Sequence, residues 1–198
     1  MSSITQVQRV GLLGGSFNPA HEGHMHISVL ALKSLKLDQL WWLVSPGNPL
    51  KPKQGMASLK ERMKMARKIS ACNPDIVVSD IENSFSTCHT VDTIEALKIE
   101  FPEISFVWVM GADLLVQVPQ WKQWRALFKL VPIVIFARPA YSARVLSGKA
   151  ARRFNGARVP RYRIGSLVKM RPPAWAYVRT RLNSQSATSI RNKDAQVI

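Results

Sequence analysis

Cysteine is scarce in this chain, and acid is almost missing from its second half. Only Cys72 and Cys88 occur in 198 residues. They show no metal or redox spacing, which excludes a disulfide scaffold and a cysteine-built metal centre. Free, buried thiols in a cytoplasmic protein are expected. No run of about 18 apolar residues is present, so no membrane span is expected. The first residues, Met-Ser-Ser-Ile-Thr-Gln, lack the basic and apolar regions of a secretion signal. No Gly-Lys-Ser/Thr follows Gly14-Gly15, which excludes a Walker A loop, and the three-glycine dinucleotide fingerprint is missing as well. No Ser-His-Asp or Cys-His pattern has recognisable context, so no protein nucleophile is expected. Beyond residue 113 the only acid is Asp194, against 17 Lys+Arg, while residues 1–113 hold 11 of each sign. The whole net charge of +16 therefore lies in the C-terminal part. That asymmetry fits nucleic acid or an acidic membrane, and equally a polyanionic small substrate or simply a solvated surface. No aromatic RNA-binding motif interleaves it, so no specific nucleic acid and no membrane partner is expected.

What is present is an alternation of apolar runs with helical patterns. Val10–Leu13, Leu40–Val44, Asp75–Ser79, Ile104–Met110 and Ile133–Ala137 read as strands, with Ala176–Thr180 as a late one. Between them, residues 24–36 carry Met25, Ser28, Val29, Leu32 and Leu35 at helical spacing, with Lys33 and Lys36 in the last turns. Residues 58–70 open on a capping box, Ser58 with Glu61, and turn Met63, Ala66 and Ile69 inward. Residues 80–89 read as a polar turn. Thr90 begins or caps a helix with Val91, Ile94 and Leu97 as its stripe. Trp121, Trp124, Leu127 and Phe128 follow an amphipathic pattern, and residues 138–163 are Arg-rich and weakly periodic. The expected fold is α/β, a Rossmann-like doubly wound parallel sheet in a single domain, residues 1–198 with a core of about 9–191.

The stretch Val10 to His24 carries the chemistry. An apolar strand ends in Gly14-Gly15, where glycine lets backbone approach a ligand. Asn18-Pro19 turns the chain. His21 and His24 follow at the start of a helix, where free N–H groups attract phosphate. Imidazoles in a suitable tautomer add donors to phosphoryl oxygens. Two histidines without a third ligand argue against a metal site. Further along, Lys51 and Lys53 sit in a loop after the second strand and can contact phosphate. Asp113 follows a strand end, a place suited to a ribose hydroxyl. Trp121, just after Pro119, is the tryptophan expected to stack on a ligand. Ser186 to Arg191 puts hydroxyls at a helix opening with Arg191 one turn in, which makes either an ordinary cap or a second anion site.

Gly-Gly-Ser-Phe-Asn-Pro-Ala-His-Glu-Gly-His resembles the signature of the His-x-Gly-His nucleotidyltransferase superfamily, in the form found in bacterial nicotinate-nucleotide adenylyltransferases. Gly111-Ala112-Asp113 with Trp121 resembles their Gly-x-Asp…Trp block, and Ser186-Ala187-Thr188-Ser189-Ile190-Arg191 their C-terminal Ser-x-Thr-x-Ile-Arg motif. His89-Thr90-Val91-Asp92-Thr93 resembles their Tyr-Thr-x-Asp-Thr segment, with His89 departing from Tyr. Glu61-Arg62-Met63 resembles the Glu-Arg-x-x-Met helix. The usual Pro-x-His-Lys loop is replaced by Asn48-Pro49-Leu50-Lys51-Pro52-Lys53, and the basic stretch between Arg138 and Arg181 matches no family motif. Pantetheine-phosphate adenylyltransferase shares the first motif but lacks the Trp121 context.

The resemblance implies transfer of AMP from ATP to nicotinate mononucleotide, giving deamido-NAD and pyrophosphate. It places His24 on the α-phosphate, His21 on ATP phosphates, and Ser186, Thr188 and Arg191 on the β- and γ-phosphates. Gly14, Gly15, Ser16, Phe17 and Gly111 line the ATP site, and Asp113 meets the adenosine ribose. Trp121 stacks on the pyridine ring, with Thr90 near its carboxylate and Asn48, Lys51 and Lys53 on the acceptor side. Mg2+ is bound through substrate phosphates with no protein ligand set. A homo-oligomer is compatible with the sequence.

Overall fold

Six apolar runs become the strands of one sheet: β1 (Arg9–Gly15), β2 (Gln39–Val44), β3 (Ile76–Ser79), β4 (Ser105–Gly111), β5 (Ile133–Phe136) and β6 (Trp175–Val178). The computed structural model describes residues 8–47, 55–137 and 145–179. All neighbouring strands pair in parallel, in the order β3-β2-β1-β4-β5-β6. The described helices are α1 (Glu22–Leu35), α2 (Leu59–Ser70), α3 (Ile81–Ser84), α4 (Thr90–Glu100), α5 (Ala112–Gln117), α6 (Trp124–Leu130) and α7 (Lys149–Arg153).

A parallel sheet is buried on both faces, so its strands read as continuous apolar runs while alternate residues feed different cores. Val10, Leu12, Trp108, Met110, Ile133 and Ile135 meet Ile94, Leu115, Phe128 and Phe154 on one face. Leu13, Trp42, Val107, Val109, Val134 and Phe136 meet Ile27, Leu35, Met63 and Leu167 on the other. This is the doubly wound architecture expected. Order reverses between β1 and β4, and ligands of such sheets bind at the carboxyl ends of the strands flanking that point. The β1–β4 ladder runs from Arg9↔Ser105 to Leu12↔Trp108. At the opposite, amino end, Asp38 holds Arg9 through its backbone N–H (2.7 Å) and through guanidinium bonds of 2.8 and 3.2 Å. These bonds hold the Asp38 carboxyl below its usual range.

Gly14 has a packing cause besides any approach to ligand. A Cβ there would collide with the Trp108 indole, so the tryptophan of β4 occupies the space a side chain on β1 would need.

Several expectations are corrected. Helix α1 starts at Glu22, not near His24, because His21 is its N-cap. Lys36 lies past the helix as its left-handed C-cap, φ 53°. Residues 81–84 form a short helix where a polar turn was expected, and it buries Glu82. Thr90 is the first residue of α4 rather than its cap. His89 holds the cap position without a side-chain capping bond. Residues 112–117 form a helix that the apolar pattern did not announce. The Trp121 segment becomes helical only from Trp124, and within residues 138–163 the short helix α7 forms. Cys72 and Cys88 are exposed, not buried. The capping box of α2 is as read: Ser58 N and Oγ donate to Glu61 Oε2 (2.9 and 2.8 Å), and Glu61 N donates to Ser58 Oγ (3.3 Å).

Candidate active site

The His-x-Gly-His spacing is the spacing of a capping box. His21 is extended, φ −152°, as an N-cap should be. Its Nδ1 accepts from Gly23 N at 3.0 Å, and His24 Nδ1 accepts from His21 N at 3.2 Å. The two imidazoles fill the reciprocal roles that Ser and Glu usually take. This geometry fixes the tautomer. With Nδ1 accepting on both rings, the proton of each neutral imidazole is on Nε2. Both rings therefore carry their proton on Nε2 while holding the first turn of α1. They sit 3.9 Å apart, centroid to centroid. His21 is buried and His24 partly so.

Aromatic packing holds His24 from behind. Its ring lies 4.7 Å from Phe17, which stacks on Trp42 at 5.0 Å. Trp42 Nε1 donates to Ser28 Oγ (2.8 Å), and Ser28 Oγ donates to the His24 carbonyl (2.7 Å). Phe17 is buried to 1% and adopts a left-handed φ of 46°, an uncommon state for a bulky residue.

Two buried ionisable groups stand at the tip of β2, and sequence reasoning gave neither a role. Arg62 on α2 is 1% exposed. Its Nη1 donates to the Ser16 carbonyl (2.7 Å) and the Ser45 carbonyl (2.8 Å), its Nε to Ala57 (3.0 Å) and its Nη2 to Pro46 (3.3 Å). Burial lowers its pKa. The available signal was periodicity, since Arg62 shares the inward face of α2 with Met63 and Ala66. Glu82 on α3 is also buried. Desolvation pushes its carboxyl up to about 7, against a bond from Ser45 that favours the charged form. Asn18 ties the same region together, its Nδ2 donating to Gly55 O (3.2 Å) and its Oδ1 accepting from Ala57 N (3.3 Å).

Across the switch point, Gly111 ends β4 and is the N-cap of α5, with Asp113 in the first turn. A carboxylate there suits the helix dipole whatever else it does. Thr90 lies at the N-terminus of α4, and Trp121, half-buried, closes the 3-10 turn Val118–Gln120. Their neighbours are joined, since Lys122 Nζ reaches Asp92 Oδ2 at 2.9 Å. The fold thus brings together the segments that carry Thr90 and Trp121 and places Gly14, Gly15, Ser16, Phe17, His21 and His24 together at the end of β1. Asn48, Lys51, Lys53, Ser186, Thr188 and Arg191 lie outside the described residues. Among the described residues, no three His, Cys, Asp or Glu are grouped to hold a metal ion. No described helix is long and apolar enough to cross a membrane.

The model of the cytidylyltransferase-like family matches residues 12–193. The chain is 46% identical over 190 residues to a probable nicotinate-nucleotide adenylyltransferase of Parvibaculum lavamentivorans, covering 96% of this chain and 94% of the relative. It is 45% identical over 186 residues to a probable nicotinate-nucleotide adenylyltransferase of Bradyrhizobium sp. strain BTAi1, covering 94% and 96%. Among solved structures, Plasmodium falciparum nicotinic acid mononucleotide adenylyltransferase complexed with NaAD has a TM-score of 0.69 at 15% identity, over 93% of this chain and 83% of that one. At that identity the likeness is one of fold.

Proposed function

The chain belongs to the cytidylyltransferase-like family, and from that premise we propose that it transfers AMP from ATP to nicotinate mononucleotide, forming deamido-NAD and pyrophosphate in NAD biosynthesis. The observation that carries this is the pair of imidazoles capping α1 at the carboxyl end of β1, in a chain whose near-full-length relatives bear that enzyme's name. In this reading residues 1–198 form one nucleotidyltransferase domain with its core over about 9–191.

A phosphate oxygen of the mononucleotide attacks the α-phosphorus of ATP. The new P–O bond forms as the bond to the bridging oxygen of pyrophosphate breaks. Negative charge grows on the α-phosphate oxygens and the leaving group. His24 Nε2–H meets the α-phosphate and His21 Nε2–H the ATP phosphates, as fixed donors to developing charge. The remaining catalysis is positioning. Ser186, Thr188 and Arg191 hold the β- and γ-phosphates. Asp113 meets the adenosine ribose beside Gly111. On the acceptor side, Asn48, Lys51 and Lys53 take the phosphate, Trp121 stacks on the pyridine, and Thr90 offers its helix N-terminus to the carboxylate. Support for that last pairing is the Lys122–Asp92 bridge beside both residues.

The donor set at the tip of β1 is imidazole and amide nitrogen, which suits phosphate oxygens and not hard Mg2+. Mg2+ would therefore be held through the ATP phosphates and water rather than by these residues, and would supply charge neutralisation there. The basic excess attracts anionic substrates. It includes the exposed Arg152, Arg153, Arg158, Arg161 and Arg163, and no sequence-specific nucleic acid belongs to this reading.

Turnover of ATP with the two pyridine mononucleotides tests the reading. Both rings stack equally well. An amide opposite the N–H groups at Thr90 leaves buried donors unpaired, at about 1–3 kcal/mol each. At least about tenfold preference in kcat/KM for nicotinate is expected, and Trp121→Ala should depress both acceptors while keeping their ratio. Equal efficiency with both acceptors in the unaltered protein would refute the carboxylate argument.

A further inference from the structure

Arg62 is an unusual cation to bury, because every partner it has among the described residues is a backbone carbonyl. The salt bridges Arg9–Asp38 and Lys122–Asp92 lie elsewhere. A guanidinium without a carboxylate keeps its desolvation cost, and an apolar residue would fill α2 more cheaply. What the planar fork provides is simultaneous reach to separate segments. Arg62 bonds Ser16 after β1, Ser45 and Pro46 after β2, and Ala57 before α2. Ser45 N in turn donates to Gly15 O at 3.0 Å.

The bond to Ser16 has a definite neighbour. Its carbonyl belongs to the peptide that enters Phe17, so anchoring it fixes the plane from which Phe17 turns. Phe17 is held in the left-handed region, φ 46°, which a bulky residue keeps only when its surroundings determine it. That conformation brings the Phe17 ring to 4.7 Å from His24 and 5.0 Å from Trp42. The connection then runs Arg62, Ser16 carbonyl, Phe17, His24 ring.

We propose that Arg62 is a positioning residue for the adenylyl transfer, setting the place of the His24 Nε2 donor through the Ser16 carbonyl and the Phe17 ring. The inference rests on the reading of His24 given above. A donor displaced by a fraction of an ångström still binds ground-state phosphate but no longer meets the charge of the transition state. Asn18, bonded to Gly55 and Ala57, holds the other end of the same loop.

The test is a double-mutant cycle on turnover. Arg62→Lys, Phe17→Leu and His24→Ala are each made alone, and the first two are also combined with His24→Ala. Thermal melts restrict comparison to folded protein, and Phe17→Leu serves if Arg62→Lys does not fold. In the unaltered background, Arg62→Lys and Phe17→Leu should each lower kcat at least tenfold, with KM for both substrates changing less than threefold in Arg62→Lys. In the His24→Ala background the same changes should alter kcat less than threefold, because the group they position is gone. Additive losses in the two backgrounds would assign Arg62 to general structural support and overturn the inference. If His24→Ala alone left kcat unchanged, the functional reading of His24 would fail first, and the cycle would show it.

Discussion

Glu82→Gln isolates the cost of one buried carboxylate. The side chain is 6% exposed, and its Oε2 has no hydrogen-bond partner among the described residues. Burial moves its pKa from 4.5 to about 7. The folded protein therefore keeps a proton that the unfolded chain releases between pH 4.5 and 7. Where the folded state binds more protons, stability falls as pH rises. Below pH 4.5 the group is neutral in both states and costs nothing. Above about 7 it is charged in both, and the full penalty is present. At about 1.4 kcal/mol per pH unit, that penalty is roughly 3 kcal/mol. Glutamine keeps the shape and stays neutral. Urea unfolding of the two proteins at pH 4.5 and pH 8.5 should give equal stabilities at the lower pH. At the higher pH the variant should be more stable by up to roughly 3 kcal/mol, or roughly 6–12 °C in Tm for a chain of this size. A stability difference that does not change with pH, or a variant weaker at both, would refute the assignment of a buried, proton-retaining Glu82.

His24→Ala should lower turnover about 100-fold or more, the scale of losing one charge-stabilising donor. It should also cost about 1 kcal/mol of stability, because its Nδ1 no longer accepts from His21 N. Steady-state kinetics and a melt check both, and near-normal turnover in folded protein would remove the role. Arg191→Ala should weaken ATP binding by roughly 1.5–3 kcal/mol, the worth of charge-assisted hydrogen bonds. It should weaken nicotinate mononucleotide much less. Calorimetric titration of each substrate decides it, and equal losses would make Arg191 structural.

The strands were legible because burial on both faces turns them into uninterrupted apolar runs, as at Val107–Met110 and Ile133–Phe136. The ends of elements were less so. The start of α1 is hard to read because imidazole is not among the usual N-cap side chains, so His21 signals chemistry before it signals a helix end. Helix α3 was hidden by polar composition. Its buried Glu82 lies in a stretch that hydropathy marks as solvated, and only tertiary packing against β2 makes it otherwise. The packing cause of Gly14 leaves no local signal, because Trp108 is 94 positions away in sequence. Of the site, the residues at the tip of β1 were readable from one contiguous motif. The Arg62 connection was not, because its acceptors are backbone carbonyls, which leave no mark on side-chain identity.

The imidazole cap makes one peptide amide a witness to the state of a ring in the site. Gly23 N–H is bonded to His21 Nδ1, and that acceptor exists only while the ring carries its proton on Nε2 alone. A ring that takes up a second proton must release the glycine amide. Spectroscopy of a single backbone N–H, at a residue with no side chain to titrate, would then follow the protonation state of the His21 imidazole in real time. Residue 23 would read out the charge of a ring to which it lends only its backbone.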